Sequence, residues 1–259
     1  MNTEIARPKS PVRRKTLWLN LSRRYAVRTH LHRPIAWLGY TLTSINIVAI
    51  ALLVFDAPLG AAAKNLSPQL IWLASRITNI GLLVSVIAVI CALPIIGLLL
   101  AQRLPVARRR FGIAALARVT AYLATSVLSA SLAVHILKYA IGRARPPLFD
   151  AVGIFHFEPF NGGFMLESFP SAHATHIGAL FAAFALLFPR FRLLFAGLGL
   201  WLGVTRIIIG VHYPSDVAAG LALGIWFAFA TAVIFSRFGL VFSPTPNGLP
   251  TPRRTLTNP

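Results

Sequence analysis

Long apolar runs separated by short polar segments dominate the chain. They lie near residues 36–55, 77–100, 112–138, 172–188, 191–210 and 216–235. Each run has roughly the 17–25 residues that a helix needs to cross about 30 Å of hydrocarbon. Helices are expected because lipid cannot satisfy open backbone groups. The pattern therefore predicts an all-α polytopic membrane protein whose domain is a bundle of six transmembrane helices.

The flanking segments divide the chain into three parts. Residues 1–35 are basic and predict a cytoplasmic N-terminal arm, either disordered or lying as a helix on an anionic membrane face. Residues 36–235 form the predicted membrane domain, in which the amphipathic segment 58–75 predicts an interfacial helix or loop. Residues 236–259 end in a stretch rich in Pro, Thr and Asn, and predict a disordered cytoplasmic tail.

Composition agrees with a membrane protein. The chain is 56% hydrophobic and 12% charged, whereas soluble domains average about 45–50% and about 25%. The net charge of +19 suggests an anionic partner. Because the basic residues flank apolar runs, we expect anionic lipid head groups as that partner and no nucleic acid. The single cysteine, Cys91, excludes an internal disulfide and has no metal-ligand spacing around it.

The distribution of basic residues predicts the orientation. If the N-terminus is cytoplasmic, segments 1–35, 101–111, 189–192 and 236–259 are all inside, and they hold 18 of the 25 Lys and Arg residues. Positive charge is enriched in cytoplasmic loops of membrane proteins. We therefore expect both termini inside, in what is predicted to be a bacterial inner membrane.

Three polar clusters stand at the ends of apolar runs on the predicted outer face. Their charged, histidine and serine side chains are Lys138, Arg143, Arg145, Ser171, His173, Arg206, His212 and Asp216. Charged groups at membrane depth cost several kcal/mol unless they have partners or a task. The combination of cations, imidazoles and one carboxylate suits the binding of a phosphate and the cleavage of its ester bond.

The cations and one helix start predict the phosphate-binding groups. Arg145 and Arg206 can each bind two phosphate oxygens, and Lys138 supplies a point charge. Ser171 precedes the fourth predicted helix, where free backbone N–H groups and the helix dipole favour an anion. Arg143 has two open interpretations, contact with substrate or exposure to water.

The histidines predict the catalytic groups. Asp216 lies four residues after His212 and can hold its imidazole in one tautomer, which leaves the other nitrogen free to attack phosphorus. His173 can then protonate the leaving oxygen. We expect His176 and His135 to lie at helix interfaces, and the loop residues Asp150, His156, Glu158 and Glu167 to be solvated rather than to bind metal.

These motifs resemble the type 2 phosphatidic acid phosphatase family, which shares its fold and site with vanadium haloperoxidases. The family pattern is K-x6-R-P, then P-S-G-H, then S-R-x5-H-x3-D. The chain matches with Lys138 and Arg145-Pro146, with Pro170-Ser171-Ala172-His173, and with Thr205-Arg206, His212 and Asp216. Ala172 replaces the family's Gly and Thr205 replaces its Ser.

The resemblance implies a six-helix membrane core and hydrolysis through a phosphohistidine, without metal or other cofactor. It assigns catalysis to His212, His173 and Asp216, and phosphate binding to Lys138, Arg145, Ser171, Ala172 and Arg206. Ala172 keeps the backbone N–H but adds a methyl group that could tighten the pocket or slow turnover.

The sequence therefore predicts a membrane lipid phosphate phosphatase with its site on the outer face. The open substrates are phosphatidic acid, phosphatidylglycerol phosphate, an isoprenyl diphosphate and a lipid A phosphate. The alternatives are a lipid phosphotransferase using the same site and a non-catalytic lipid-binding scaffold. No obligate protein partner is evident from the sequence.

Overall fold

The computed structural model describes residues 19–20, 22–27, 35–62, 65–102 and 105–253, and this part of the chain is mainly α-helical. The helices are α1 (Trp37–Ile50), α2 (Asp56–Ala62), α3 (Pro68–Thr78), α4 (Leu83–Ala101), α5 (Val106–Ile141), α6 (Phe149–Val152), α7 (Ala172–Leu187), α8 (Arg192–Ile208) and α9 (Pro214–Phe238). Helix α1 passes into α2 through a π-helical turn, Ala51–Phe55. The predicted helical membrane architecture is thus present.

Four helical segments are long and apolar enough to cross a membrane. They are Trp37–Ala62, Gly112–Ile141, Pro189–Ile208 and Pro214–Phe238. Helices α3 and α4 form a further candidate that is bent by 43°. Helix α7 has only 16 residues, fewer than the roughly 20 that a span usually needs. The described residues therefore contain four spans, or five with the bent pair, and the predicted number of six is not confirmed.

Helix α7 lies inside the bundle and packs against α9, α8 and α5. Most of its residues are buried, so it has little contact with the surroundings. Its contact with α9 is backbone to backbone, because a Cβ added at Gly224 would lie 2.3 Å from the carbonyl oxygen of Thr175. This close contact fixes the start of α7 beside the start of α9.

The C-terminal segment is folded as far as residue 253, so the predicted disorder of residues 236–259 is wrong over residues 236–253. Strands β1 (Phe242–Pro244) and β2 (Pro250–Pro252) form an antiparallel hairpin directly after α9. Phe242 is fully buried, with its ring 4.9 Å from that of Tyr122. The apolar Leu240-Val241-Phe242 stretch anchors the hairpin to the core, so the folded domain extends past residue 235 to residue 253. Residues 254–259 lie outside the described residues.

The N-terminal arm can be compared with its prediction over a short stretch. Residues 19–20 and 22–27 are helical, in agreement with a helix in this region. The rest of the arm before residue 35 lies outside the described residues. The amphipathic segment 58–75 contributes to α2 and α3.

We predict that Phe242→Ala lowers the stability of the whole helical domain. Removal of a fully buried aromatic ring typically costs about 3–5 kcal/mol. Thermal unfolding of the detergent-solubilised protein measures the effect. Leu249→Ala in the same hairpin is the matched control, since Leu249 is 41% exposed. Equal melting temperatures for the two variants would contradict a structural role for the hairpin.

Candidate phosphate-binding site

The three polar clusters meet at one end of the bundle. This end is formed by the C-terminus of α5, the 142–171 loop, the N-terminus of α7, the C-terminus of α8 and the N-terminus of α9. Arg145, Arg206 and His212 are all close enough to His173 to affect its ionisation. Those of Arg145, Arg206 and Asp216 act on Lys138. The structure therefore brings the sequence-predicted residues into one electrostatic neighbourhood.

The loop after α5 returns to the bundle because Gly142 reverses the chain. Gly142 caps α5 with a φ of 63°, and its N–H donates to the carbonyl oxygen of Lys138 at 3.0 Å. Arg143 then pairs with Phe157 as an isolated β-bridge. The N–H of Ser168 donates to the carbonyl oxygen of Arg143 at 2.9 Å. These contacts bring the far end of the loop back beside the end of α5.

Lys138 and Arg145 share one acceptor in this loop. The Lys138 Nζ donates to the carbonyl oxygen of Glu167, and Arg145 Nη2 donates to the same oxygen at 3.2 Å. Arg145 Nη1 also donates to the carbonyl oxygen of Val211 at 3.1 Å, next to His212. The ring of Phe164 stacks on the Arg145 guanidinium at 4.0 Å. Both cations are nearly buried, and Arg145 links the loop to the third cluster.

Arg206 presents an unused buried donor. Its Nη1 donates to Thr78 Oγ1 at 3.1 Å, and within the described residues its buried Nε has no hydrogen-bond partner. Buried donors are almost always paired in native proteins. An anionic oxygen beside Arg206 would satisfy this group.

The N-terminus of α7 reaches the same place. Ser171 is its N-cap, and its Oγ accepts a hydrogen bond from the Ala174 N–H at 3.5 Å. The Ser171 N–H donates to the carbonyl oxygen of Asp216 at 3.0 Å. Ala172 and His173 follow in the first turn, where backbone N–H groups have no helical acceptor. An anion at this position would meet these donors and the positive end of the helix dipole.

His212 and Asp216 lie side by side, as their spacing predicts. His212 Nδ1 is 3.5 Å from Asp216 Oδ2, and within the described residues it makes no hydrogen bond. The same oxygen accepts hydrogen bonds from Ser168 Oγ at 2.5 Å and from the Tyr213 N–H at 2.9 Å. Asp216 is fully buried, so its carboxylate is fixed and can orient the imidazole.

Burial controls the charge of His212. The imidazole is 3% exposed, and burial lowers its pKa to about 3, although Asp216 acts in the opposite direction. At neutral pH, the ring is therefore uncharged and retains a lone pair. A neutral imidazole is the form that can attack an electrophile.

Arg143 was expected either to contact substrate or to face water. In the structure it faces neither water nor the phosphate-binding groups. It is 1% exposed. Its Nη1 donates to Asp216 Oδ1 at 2.7 Å, and its Nη2 donates to Asp56 Oδ2 at 2.8 Å. It is thus part of a buried ion cluster.

Three site residues were missed in the sequence. Asp56 contacts Arg143, Ser168 contacts Asp216, and Thr78 contacts Arg206. Asp56 carried a signal, since it is a lone carboxylate at the end of the first apolar run. Ser168 and Thr78 carried none, because single hydroxyl residues are common in such segments.

Two further histidines have partners of their own. His176 Nε2 is 3.1 Å from Ser131 Oγ between α7 and α5, as expected for a helix-interface histidine. His156 pairs with Glu158 in the loop at 2.7 Å. In the described part of the chain, no group of three His, Cys, Asp or Glu residues could hold a metal ion.

Comparison with known proteins places these residues in a family context. A model of the PAP2 superfamily matches residues 119–239. A lipid A 1-phosphatase of Rhizobium etli is 42% identical over 221 residues, which cover 85% of this chain and 94% of that protein. A lipid A 1-phosphatase of Rhizobium johnstonii is 41% identical over 240 residues, or 93% and 98% of the two chains.

A solved structure is also similar. It is the crystal structure of the first transmembrane PAP2 type phosphatidylglycerolphosphate phosphatase from Bacillus subtilis. The TM-score is 0.45 at 19% identity, with 83% of this chain and 92% of that chain covered.

We predict that Gly142→Ala destabilises the site loop more than Gly153→Ala. Both glycines have positive φ, so each substitution carries a backbone cost of about 1–3 kcal/mol. Only at Gly142 would the new Cβ meet backbone, 1.8 Å from the carbonyl oxygen of Glu158. At Gly153 nothing among the described residues lies within 4 Å. Thermal unfolding of the two variants compares the effects, and equal losses would contradict this account of the loop.

Proposed function

The chain belongs to the PAP2 superfamily and is a phosphatase of that family, and from this premise we propose that it removes the 1-phosphate of lipid A. Similarity to two lipid A 1-phosphatases extends over nearly the whole of both chains. Selectivity for the lipid would reside in the outer loop and on the lipid-facing surfaces of the helices. This full-length similarity favours lipid A over the other lipid phosphates.

The observation that carries the chemistry is the buried Arg206 Nε, which has no partner among the described residues and whose guanidinium is close enough to His173 to lower its pKa. In the proposal, Arg206, Arg145 and Lys138 hold the non-bridging phosphate oxygens. Within the described residues, Arg145 uses one N–H on each of its three nitrogens, so two of its five donors remain for substrate. The N–H groups after Ser171, including that of Ala172, complete the cradle.

The proposed reaction proceeds in two displacements. His212 Nε2 forms a bond to phosphorus while the bond from phosphorus to the sugar oxygen breaks. Burial and the nearby Arg206 lower the pKa of His173 to about 3, so in the proposal His173 takes up a proton when the anionic substrate binds and gives it to that oxygen. Asp216 stabilises the positive charge that develops on the His212 ring. Water, which gives a proton to the now neutral His173, then attacks the phosphohistidine and releases inorganic phosphate and free His212. The three cations stabilise the charge on the phosphoryl oxygens throughout.

The two departures from the family pattern fit this chemistry. Thr205 Oγ1 donates to the carbonyl oxygen of Leu202 at 2.6 Å within α8, so its hydroxyl supports the helix rather than the ligand. Ala172 retains the backbone N–H that an anion requires. Neither replacement removes a group that the proposed mechanism uses.

The proposed location is a bacterial inner membrane, with both termini cytoplasmic and the site on the periplasmic side. Basic flanking segments support this orientation. The phosphate of a membrane-embedded lipid would then reach the helix ends from the outer leaflet.

We expect purified protein to release phosphate from lipid A 1-phosphate faster than from phosphatidic acid, phosphatidylglycerol phosphate or an isoprenyl diphosphate. His212→Ala should abolish release because it removes the nucleophile. His156→Ala is the matched control, since that histidine lies in the loop and pairs with Glu158. Excess chelator should leave the rate unchanged, because the cations are side chains.

Each result in this assay tests one part of the proposal. Preference for another of the four lipids would contradict the substrate assignment. Full activity of His212→Ala would overturn the mechanism. Transfer of phosphate to an added lipid or glycan acceptor, with little free phosphate, would identify a phosphotransferase.

We also expect the loss in His173→Ala to depend on the leaving group. General acid catalysis contributes typically about 10²–10⁴-fold, so hydrolysis of the lipid A sugar phosphate should fall by about that factor. An aryl phosphate leaves without a proton donor, and its hydrolysis should fall by less than about 10-fold. Steady-state rates with both substrates measure the difference. An equal loss on both would show that His173 is not the acid.

A further inference from the structure

We propose that Asp56 and Arg143 are positioning residues for this hydrolysis, acting through Asp216 on His212. The inference rests on the proposed function, because it assigns His212 as the nucleophile. Neither residue belongs to the groups that hold phosphate. Hydrogen bonds join both residues to Asp216 at the buried start of α9, and Asp216 Oδ2 lies 3.5 Å from His212 Nδ1.

The series begins in the first membrane-spanning segment. Asp56 follows the π-helical turn at the start of α2 and is fully buried. Its Oδ2 accepts a hydrogen bond from Arg143 Nη2 at 2.8 Å, and Arg143 Nη1 donates to Asp216 Oδ1 at 2.7 Å. Asp216 Oδ2 faces His212 Nδ1 at 3.5 Å. One guanidinium thus spans two carboxylates, the second of which orients the nucleophile.

Ser215 makes a second link between the same elements. Asp56 Oδ1 accepts a hydrogen bond from the Ser215 N–H at 2.9 Å, and Asp56 Oδ2 accepts one from Ser215 Oγ. Ser215 Oγ in turn accepts from Arg143 Nη1 at 2.7 Å. Because Ser215 precedes Asp216 in the first turn of α9, Asp56 fixes the backbone from which Asp216 projects.

The hydrogen bonds of Arg143 exclude it from phosphate binding. Nη1 contacts Ser215 and Asp216, Nη2 contacts Asp56 and the carbonyl oxygen of Ile154, and Nε contacts the same carbonyl oxygen. All five N–H donors of a guanidinium are thereby accounted for. The Tyr213 ring also packs on the guanidinium at 4.4 Å. The planar fork is required here, since a lysine is a point charge and cannot span both carboxylates in this way.

Charge explains why this positioning matters to the reaction. With His212 neutral, the cluster holds two carboxylates and one guanidinium. Attack on phosphorus places positive charge on the imidazole, and the fixed Asp216 carboxylate stabilises it without reorganisation. Asp56 holds the Arg143 guanidinium in the orientation in which it contacts Asp216 Oδ1. Asp216 Oδ2 then faces His212. A displaced Asp216 would slow formation of the phosphohistidine while leaving the phosphate-binding cations intact.

The test is Asp56→Asn, which removes charge but retains a side chain of nearly the same shape. We expect kcat on lipid A 1-phosphate to fall on the order of 10–100-fold, as for outer-shell partners of metal ligands. KM and the inhibition constant of inorganic phosphate should change by less than about 3-fold, because no group that holds phosphate is altered. Loss of a hydrogen bond to the charged phosphate would change them by more than about 10-fold. The inhibition constant of vanadate should rise by a larger factor than that of phosphate. Vanadate mimics the five-coordinate phosphorus under attack, and its binding therefore needs an oriented His212.

Glu158→Gln is the matched control. It removes a carboxylate from the loop that carries Arg143, where Glu158 contacts His156 and Asn161. This variant should retain the wild-type kcat and both inhibition constants. Arg143→Lys should resemble Asp56→Asn, since it keeps the charge and loses the fork. If Asp56→Asn does not fold, Ser215→Ala removes only the bridging hydroxyl and should show the same pattern with a smaller loss.

The outcomes separate this inference from the proposed function. Inactive wild-type protein or a fully active His212→Ala variant would remove the proposed function itself. An active wild type with Asp56→Asn at wild-type kcat would overturn only the positioning role. Equal weakening of phosphate and vanadate, with a lower melting temperature, would show a purely structural role and would also overturn it.

Discussion

The end of the bundle that carries the three polar clusters depends on one cation held between two carboxylates in an apolar interior. Arg143 contacts Asp56 and Asp216, and all three side chains are essentially inaccessible to solvent. An unpaired charge in such surroundings costs several kcal/mol, so each member of the cluster requires the others. The cluster joins the end of the first spanning segment, the loop after α5 and the start of α9. The nucleophile of the proposed reaction is therefore supported by a helix that contributes nothing to the family motifs.

The protein uses its guanidiniums in two different ways. Arg143 is saturated with partners, while Arg206 makes one hydrogen bond within the described residues and keeps a buried Nε without an acceptor. Arg145 lies between these extremes, since it is anchored by three carbonyl oxygens. Satisfied donors hold the site together, and unsatisfied donors remain for a ligand. This distinction depends on donor geometry and cannot be recognised from residue type.

Much of the site could be predicted from the sequence because its residues stand at the ends of apolar runs. Charges there need a reason, and the spacing of His212 and Asp216 already implied contact. The role of Arg143 could not be predicted, since Arg143 and Arg145 have the same chemistry and differ only in what surrounds them. Asp56 was missed because its partner is 87 residues away in the sequence. The C-terminal hairpin was missed because Pro and Thr usually indicate disorder, whereas burial of Phe242 outweighs that tendency.

The short length of α7 connects the fold to the chemistry. Its 16 residues extend about 24 Å at 1.5 Å per residue, less than the roughly 30 Å of hydrocarbon in a bilayer. Arg190 and Arg192 follow it, and in the proposed orientation they mark the inner interface. The opposite end, with Ser171 and the free N–H groups, then lies below the outer surface rather than in bulk water. At that depth the dipole and the cations act through a lower effective dielectric, where each interaction with a phosphate is stronger. In that orientation, a helix too short to cross the membrane places the proposed anion site below the surface. The 142–171 loop returns beside it and exposes apolar side chains such as Phe155 and Phe164.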